Sequence, residues 1–119
     1  MKTTTGKAIA ALKALEEIRG QKISRVKAKE LFMLRKELND SNEFFMEQLQ
    51  ATCDRMGVEI INGSVTFGED TEKRDQFLKE IAEIEDTETK ISVRPVDLSG
   101  EDISISETFV EATDGFIIL

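Results

Sequence analysis

The chain contains one cysteine and no histidine, and these two facts decide most of the chemistry open to it. A thiol becomes a nucleophile when a neighbouring base or a positive environment draws off its proton. Cys53 lies among helix-forming residues near Leu49 and Met56, with no imidazole anywhere in the chain, so it reads as a small buried hydrophobe. The same lack removes Ser/His/Asp and Cys/His arrangements and histidine-based zinc sites. A lone thiol cannot build a cysteine-rich metal or iron–sulfur site within one chain, nor close an intramolecular disulfide. Neither GxxxxGK[ST] nor GxGxxG occurs, so both standard phosphate cradles are missing.

Carboxylates are what remains. Glu69, Asp70 and Glu72 form one run, and Glu83, Glu85, Asp86 and Glu88 another; oxygen ligands of this kind suit Mg²⁺ or Ca²⁺. A calcium loop of the EF-hand type needs a central glycine and a glutamate at its twelfth position, and that pattern is absent. Acids at Asp70 and Glu72 are accounted for by the positive end of a helix beginning there, and both runs read as solvated faces. Paired carboxylates that cleave glycosides work beside stacking aromatics, whereas Trp and Tyr are both zero. No catalytic residue, metal ligand or cofactor is expected.

Charge is distributed unevenly. Residues 1–36 carry ten Lys and Arg against three acids, and residues 37–119 carry six against 21, for a net charge of −8. Either the basic third neutralises part of the acidic remainder within one fold, or two oppositely charged surfaces direct assembly and partner choice. Lys22, Arg25, Lys27 and Lys29 are the candidate anion-binding residues, able to meet an anionic nucleotide if they line a pocket. Nucleic acid is not an expected partner. No aromatics are interleaved with these cations to stack on bases, and on a helix Arg25, Lys27 and Lys29 spread around the axis.

The elements that position these groups follow from periodicity and punctuation. Thr3 to Thr5 offer N-cap hydroxyls. Ile9, Leu12, Leu15 and Ile18 then give one apolar helical face, and Gly20 stops it. Ser24 opens a second helix on which Leu31, Leu34, Leu38, Phe45, Leu49 and Met56 recur at helical spacings until Gly57. At 1.5 Å per residue such a helix spans roughly 48 Å. Asn39-Asp40-Ser41-Asn42 is a poor helix interior, because these side chains compete for backbone hydrogen bonds, so the segment is either one helix or two. The first helix folds back on it as an αα-hairpin. Val58 to Phe67 contains Asn62-Gly63, which suits a type I′ turn and pairs Ile61 with Ser64, Ile60 with Val65 and Val58 with Phe67. Asp70 or Thr71 opens a third helix with Phe77, Leu78, Ile81, Ala82 and Ile84 on its apolar side. Thr87 to Arg94 alternates as a strand and stops at Pro95. Ser104 to Glu107 has the form of a capping box before a short helix over Glu107–Ala112, and the apolar end Phe116-Ile117-Ile118-Leu119 must dock on the core or on a partner.

The expected fold is α+β: an N-terminal αα-hairpin with a long helix, a β-hairpin, a further helix, and a C-terminal strand plus short helix. It forms one domain over 1–119, with a helical part over 1–57 and an α+β part over 58–119. Phe32, Phe44, Phe45 and Met46 exceed what a single core-facing stripe needs and are the candidate interface. Lys7, Lys13, Glu16 and Glu17 interrupt any signal-peptide core, and no run approaches the ~18 apolar residues of a membrane span. The expectation is a cytoplasmic protein that does not enter the membrane.

Thr87-Glu88-Thr89-Lys90-Ile91-Ser92-Val93-Arg94-Pro95-Val96-Asp97-Leu98 leads through a P-[IV]-x-L step to Ile105-Ser106 and a short helix. With the basic helix start from Ile23 to Lys36, the long acidic helix, the hairpin and Phe77-Leu78-Lys79-Glu80, this resembles a family of small bacteriophage and prophage proteins of unknown function. Lys90 departs from the pattern, which would be more acidic or apolar there. The resemblance implies a phage context in the host cytoplasm and brings no catalytic residues. It fits a non-enzymatic interaction protein, an accessory assembly factor or a host-directed one, whose partner is a second copy in a dimer or a host protein. Two alternatives remain open: an acidic inhibitor of a host defence or DNA-handling protein, and a sequestering protein for an anionic nucleotide.

Overall fold

A computed structural model describes every residue from Met1 to Leu119. Its axis is helix α2, Arg25–Met56, which runs without a break for 32 residues. Asn39 and Asp40 point to solvent, Ser41 is buried on the packed side, and the Asn39 amide donates to the Glu43 carboxylate one turn on at 3.4 Å. Side chains so engaged leave the i to i−4 ladder intact, and one helix results rather than two. Gly57 ends it in the left-handed conformation, φ 68°.

Before α2 come strand β1 (Lys2–Thr4), helix α1 (Thr5–Ala14) and a 3₁₀ turn over Leu15–Ile18. Thr4 caps α1 by accepting from the Lys7 N–H at 3.3 Å. After α2 follow β2 (Ile60–Ile61), β3 (Ser64–Val65), α3 (Thr71–Glu85), β4 (Glu88–Lys90), β5 (Val96–Asp97), α4 (Glu107–Ala112) and β6 (Ile117–Ile118). The fold is α+β. The strands form three separate two-stranded ribbons: β1 with β4 and β2 with β3 antiparallel, β5 with β6 parallel. The segments before and after Gly57 are interwoven, because β1 pairs with β4 and the Thr5 N–H donates to the Thr87 carbonyl at 2.9 Å.

Several expectations need correction. Thr3 and Thr4 form a strand as well as a cap. The strand expected over 87–94 is ordered as β4 only from Glu88 to Lys90, because its partner β1 is three residues long; Met1 and Ile91 exchange one further pair of backbone bonds. Leu78 and Ala82 lie outside the packed side of α3, whose buried residues are Phe77 and Ile84. The cap of α4 is Ser106, whose hydroxyl accepts from the Phe109 N–H at 3.1 Å, and not Ser104. The apolar tail, by contrast, docks on the core as expected: Phe116 and Ile117 are buried and β6 lies beside β5, while Ile118 and Leu119 stay exposed.

Two hydrophobic clusters are strung along α2. The larger joins Ala8, Ala11, Leu15 and Ile18 to Leu31, Leu34 and Leu38, and is closed by Ile91, Val96, Leu98, Phe109, Phe116 and Ile117. The smaller, at the far end of α2, holds Cys53, Val58 and Phe77, with Leu49, Met56, Val65, Phe67 and Ile81 packed around them. The outcome is a slab of 52 × 25 × 19 Å, about two helix diameters by little more than one and a half.

The β2–β3 turn has the expected register, Ile60 with Val65 and Ile61 with Ser64, but the pairing stops there and the expected Val58–Phe67 pair is not formed. Asn62 and Gly63 both take positive φ, 53° and 78°, as a type I′ turn requires. Gly63→Val forces a β-branched residue into that region and should cost about 1 kcal/mol or more. Denaturant unfolding checks this; an unchanged midpoint would contradict the role assigned to the turn.

Candidate interaction face

The polar groups of this protein are first of all internal fasteners. Glu17, in the 3₁₀ turn, accepts from both the N–H of Ser106 at 2.7 Å and its hydroxyl at 2.6 Å. Glu37 on α2 holds Ser92 in the same two-point way, with its N–H at 2.8 Å. Glu101 does so for Ser24, with its N–H at 3.1 Å, and Asp97 for Ser99 at 2.9 and 2.6 Å. Between them, the Gln21 amide both donates to the Ser104 carbonyl and accepts from the Ser104 N–H, each at 2.8 Å. Residues 101–106 are thereby fastened to residues 17–24. Serine bound at two points to a carboxylate forms charge-assisted bonds. Three of the four pairs join residues more than fifty positions apart, so no local spacing in the sequence announces them. The Ser24 hydroxyl is taken by Glu101, and α2 begins without a side-chain cap bond.

Bonds from Ser106 hold the Glu17 carboxyl below its ordinary range. Bonds from Ser99, with the charge of Lys27 as a smaller cause, do the same for Asp97, and the guanidinium of Arg19 for Glu16. Among the four basic candidates, Arg25 and Lys29 share one shallow depression of about 570 Å³ with Val26, Glu30, Met33 and Val93. Lys27 is ion-paired with Glu30 at 3.2 Å and also faces Asp97. Lys22 sits exposed in the turn before α2 and does not line that depression. The four cations are not gathered into one anion pocket.

The apolar candidates lie on the solvent side of α2. Phe32 is 61% exposed, Met46 52% and Phe44 39%, and Met33 and Val26 on the same helix are 43% and 73% exposed. Phe45 is half-buried on the packed side. At about 100° per residue, Phe32 and Met46 fall on one flank of the outer face, and Val26, Met33 and Phe44 on the other. Phe32 borders a depression of about 610 Å³ with Leu12, Arg19 and Arg35. Phe44 borders a polar cleft of about 420 Å³ between α2 and β4, with Asp40, Ser41 and Thr89. No set of three or more carboxylate or thiol groups converges to hold a metal ion, and no helix is long and apolar enough to cross a membrane. Comparison with models of known protein families, with curated proteins and with solved structures finds no match.

Cys53 is fully buried. Burial, followed by the adjacent Asp54 carboxylate, pushes its thiol above the ordinary value, so it stays protonated and unreactive at neutral pH. A thiol-specific reagent should label it slowly in the native protein and rapidly in denaturant, and Cys53→Ala should leave partner binding unchanged. Rapid native labelling would contradict the packing described.

The carboxylates held low have a pH signature. A folded pKa below the unfolded one stabilises the fold above the ordinary carboxylate range, and that contribution disappears as pH falls through the folded value. Melting temperature should drop between about pH 5 and about pH 3. Glu17→Gln should lower it at neutral pH and make the acid slope shallower. A slope identical to that of the parent would contradict the Glu17–Ser106 fastening.

Proposed function

We propose that this chain is a non-enzymatic interaction protein that acts through protein–protein contacts on the outer face of α2. The observation that carries this reading is the set of large apolar side chains standing in solvent along the outer face of α2. Apolar residues grouped along one element in this way mark contact surfaces. Four other carboxylates, Glu17, Glu37, Asp97 and Glu101, are engaged in holding serines of this same chain. The resemblance to small phage proteins supports a role as an accessory assembly or host-directed factor in the cytoplasm of a phage-infected cell.

A photo-crosslinking residue at position 46 tests the reading, with one at exposed Glu111 on α4 as the control. Position 46 should give a discrete adduct with one protein, this chain or another, and position 111 should not. Equal yields from both, or none from either, would overturn the assignment of the face.

A further inference from the structure

The charges on the outer face of α2 are segregated along its length. Its first half presents Arg25, Lys29 and Lys36; its second half presents Asp40, Glu43, Glu47 and Asp54, all exposed. A helix whose face runs from positive to negative complements itself when inverted. We propose that the outer face of α2 binds a second copy of this chain, antiparallel, about a two-fold axis passing close to Asn39. This rests on the reading of that face as a protein-contact surface and names its occupant.

The register follows from the residues. With the axis near Asn39, Lys36 of one copy lies opposite Glu43 of the other, and Arg25 opposite Asp54, each pair occurring twice by symmetry. A two-fold axis lying across the helices keeps each flank of the face on its own side. Phe32 therefore meets Met46 of the second copy along one edge, and Met33 meets Phe44 along the other. All four pairs are satisfied within one residue of a common centre. A parallel pair would instead set Lys36 beside Lys36 and Glu43 beside Glu43, which like charges oppose.

Size and shape agree. A stable specific interface takes about 800 Å² from each partner, roughly a tenth of the 8039 Å² of this chain. A partner crossing α2 at a steep angle touches a few turns only, whereas one lying along it contacts most of its roughly 48 Å. The slab is only 19 Å deep in its thinnest direction, and α1 and α3 pack on the opposite side of α2, where Leu31, Leu34, Leu38 and Cys53 are buried, while β4 and Val93 border the Met33 and Phe44 edge and leave both side chains exposed.

Light scattering across micromolar concentrations, combined with charge exchange, tests the proposal. The parent should show twice the 13.4 kDa chain mass, and the dimer should weaken with salt. Lys36→Glu alone and Glu43→Lys alone should each raise the dissociation constant on the order of tenfold or more, with circular dichroism unchanged because both residues are exposed. An equimolar mixture of the two variants should recover the dimer, since each copy then offers what the other lacks. A parent that is a single chain throughout overturns the proposal, and if position 46 still crosslinks a different protein, the contact-surface reading survives. A dimeric parent whose variants dimerise as well alone as mixed removes this geometry.

Discussion

Everything in this fold answers to the length of α2. A helix of 32 residues needs cover on one side along roughly 48 Å, and no other element is long enough to supply it. Helix α1 contributes ten residues and covers only the first half. The remainder is covered by α3 and the β2–β3 hairpin, which follow α2 directly in the chain and fold back on it. The core therefore divides into two clusters, and the short ribbons seal the places where neither α1 nor α3 reaches.

The loops beside α2 are held in part by apolar side chains, Val93, Leu98, Ile103 and Ile105, packed in or against the larger cluster. They are held as well by carboxylates. Glu37 reaches from α2 to the Ser92 loop, and Glu17 in the 3₁₀ turn and Gln21 just after it reach residues 104–106. Each such bond pairs a loop N–H with a group on another element and so fixes the path of the loop. Part of the acidity of this chain is thus structural. The rest is placed at one end: residues 43–86 hold twelve acids and four bases, a charge of −8, equal to that of the whole protein. The basic first third is balanced by its own half of the molecule.

What could be read from the sequence was whatever depends on local spacing. The leucine ladder of α2, the Asn62-Gly63 turn, the Asp70 cap and the Gly57 stop all announce themselves within a few residues, and the structure has each of them. Strand β1 did not, because three residues with no alternation become a strand only when β4 is brought beside them. The parallel β5–β6 pair is equally non-local. Ser104 resembled a cap by spacing, but Gln21 engages its backbone and Ser106 takes the role. The outer face was half legible. Phe32, Phe44 and Met46 stood out as surplus to one stripe and are exposed, Phe45 turned inward as the neighbour of Phe44 must, and Val26, between Arg25 and Lys27 at the helix start, was passed over.

The division of the core has a further consequence for how the molecule fluctuates. The larger cluster has thirteen buried members and the smaller three, and local opening free energy tracks such packing. The hairpin and α3 can therefore detach from the last turns of α2 while the proximal half remains native, so the protein breathes from one end. Cys53 sits in the cluster that opens, which makes its thiol a natural gauge of that breathing. The half that opens is also the half that carries the net negative charge, so its self-repulsion, and with it the frequency of opening, is set by the ionic strength of the surrounding solution.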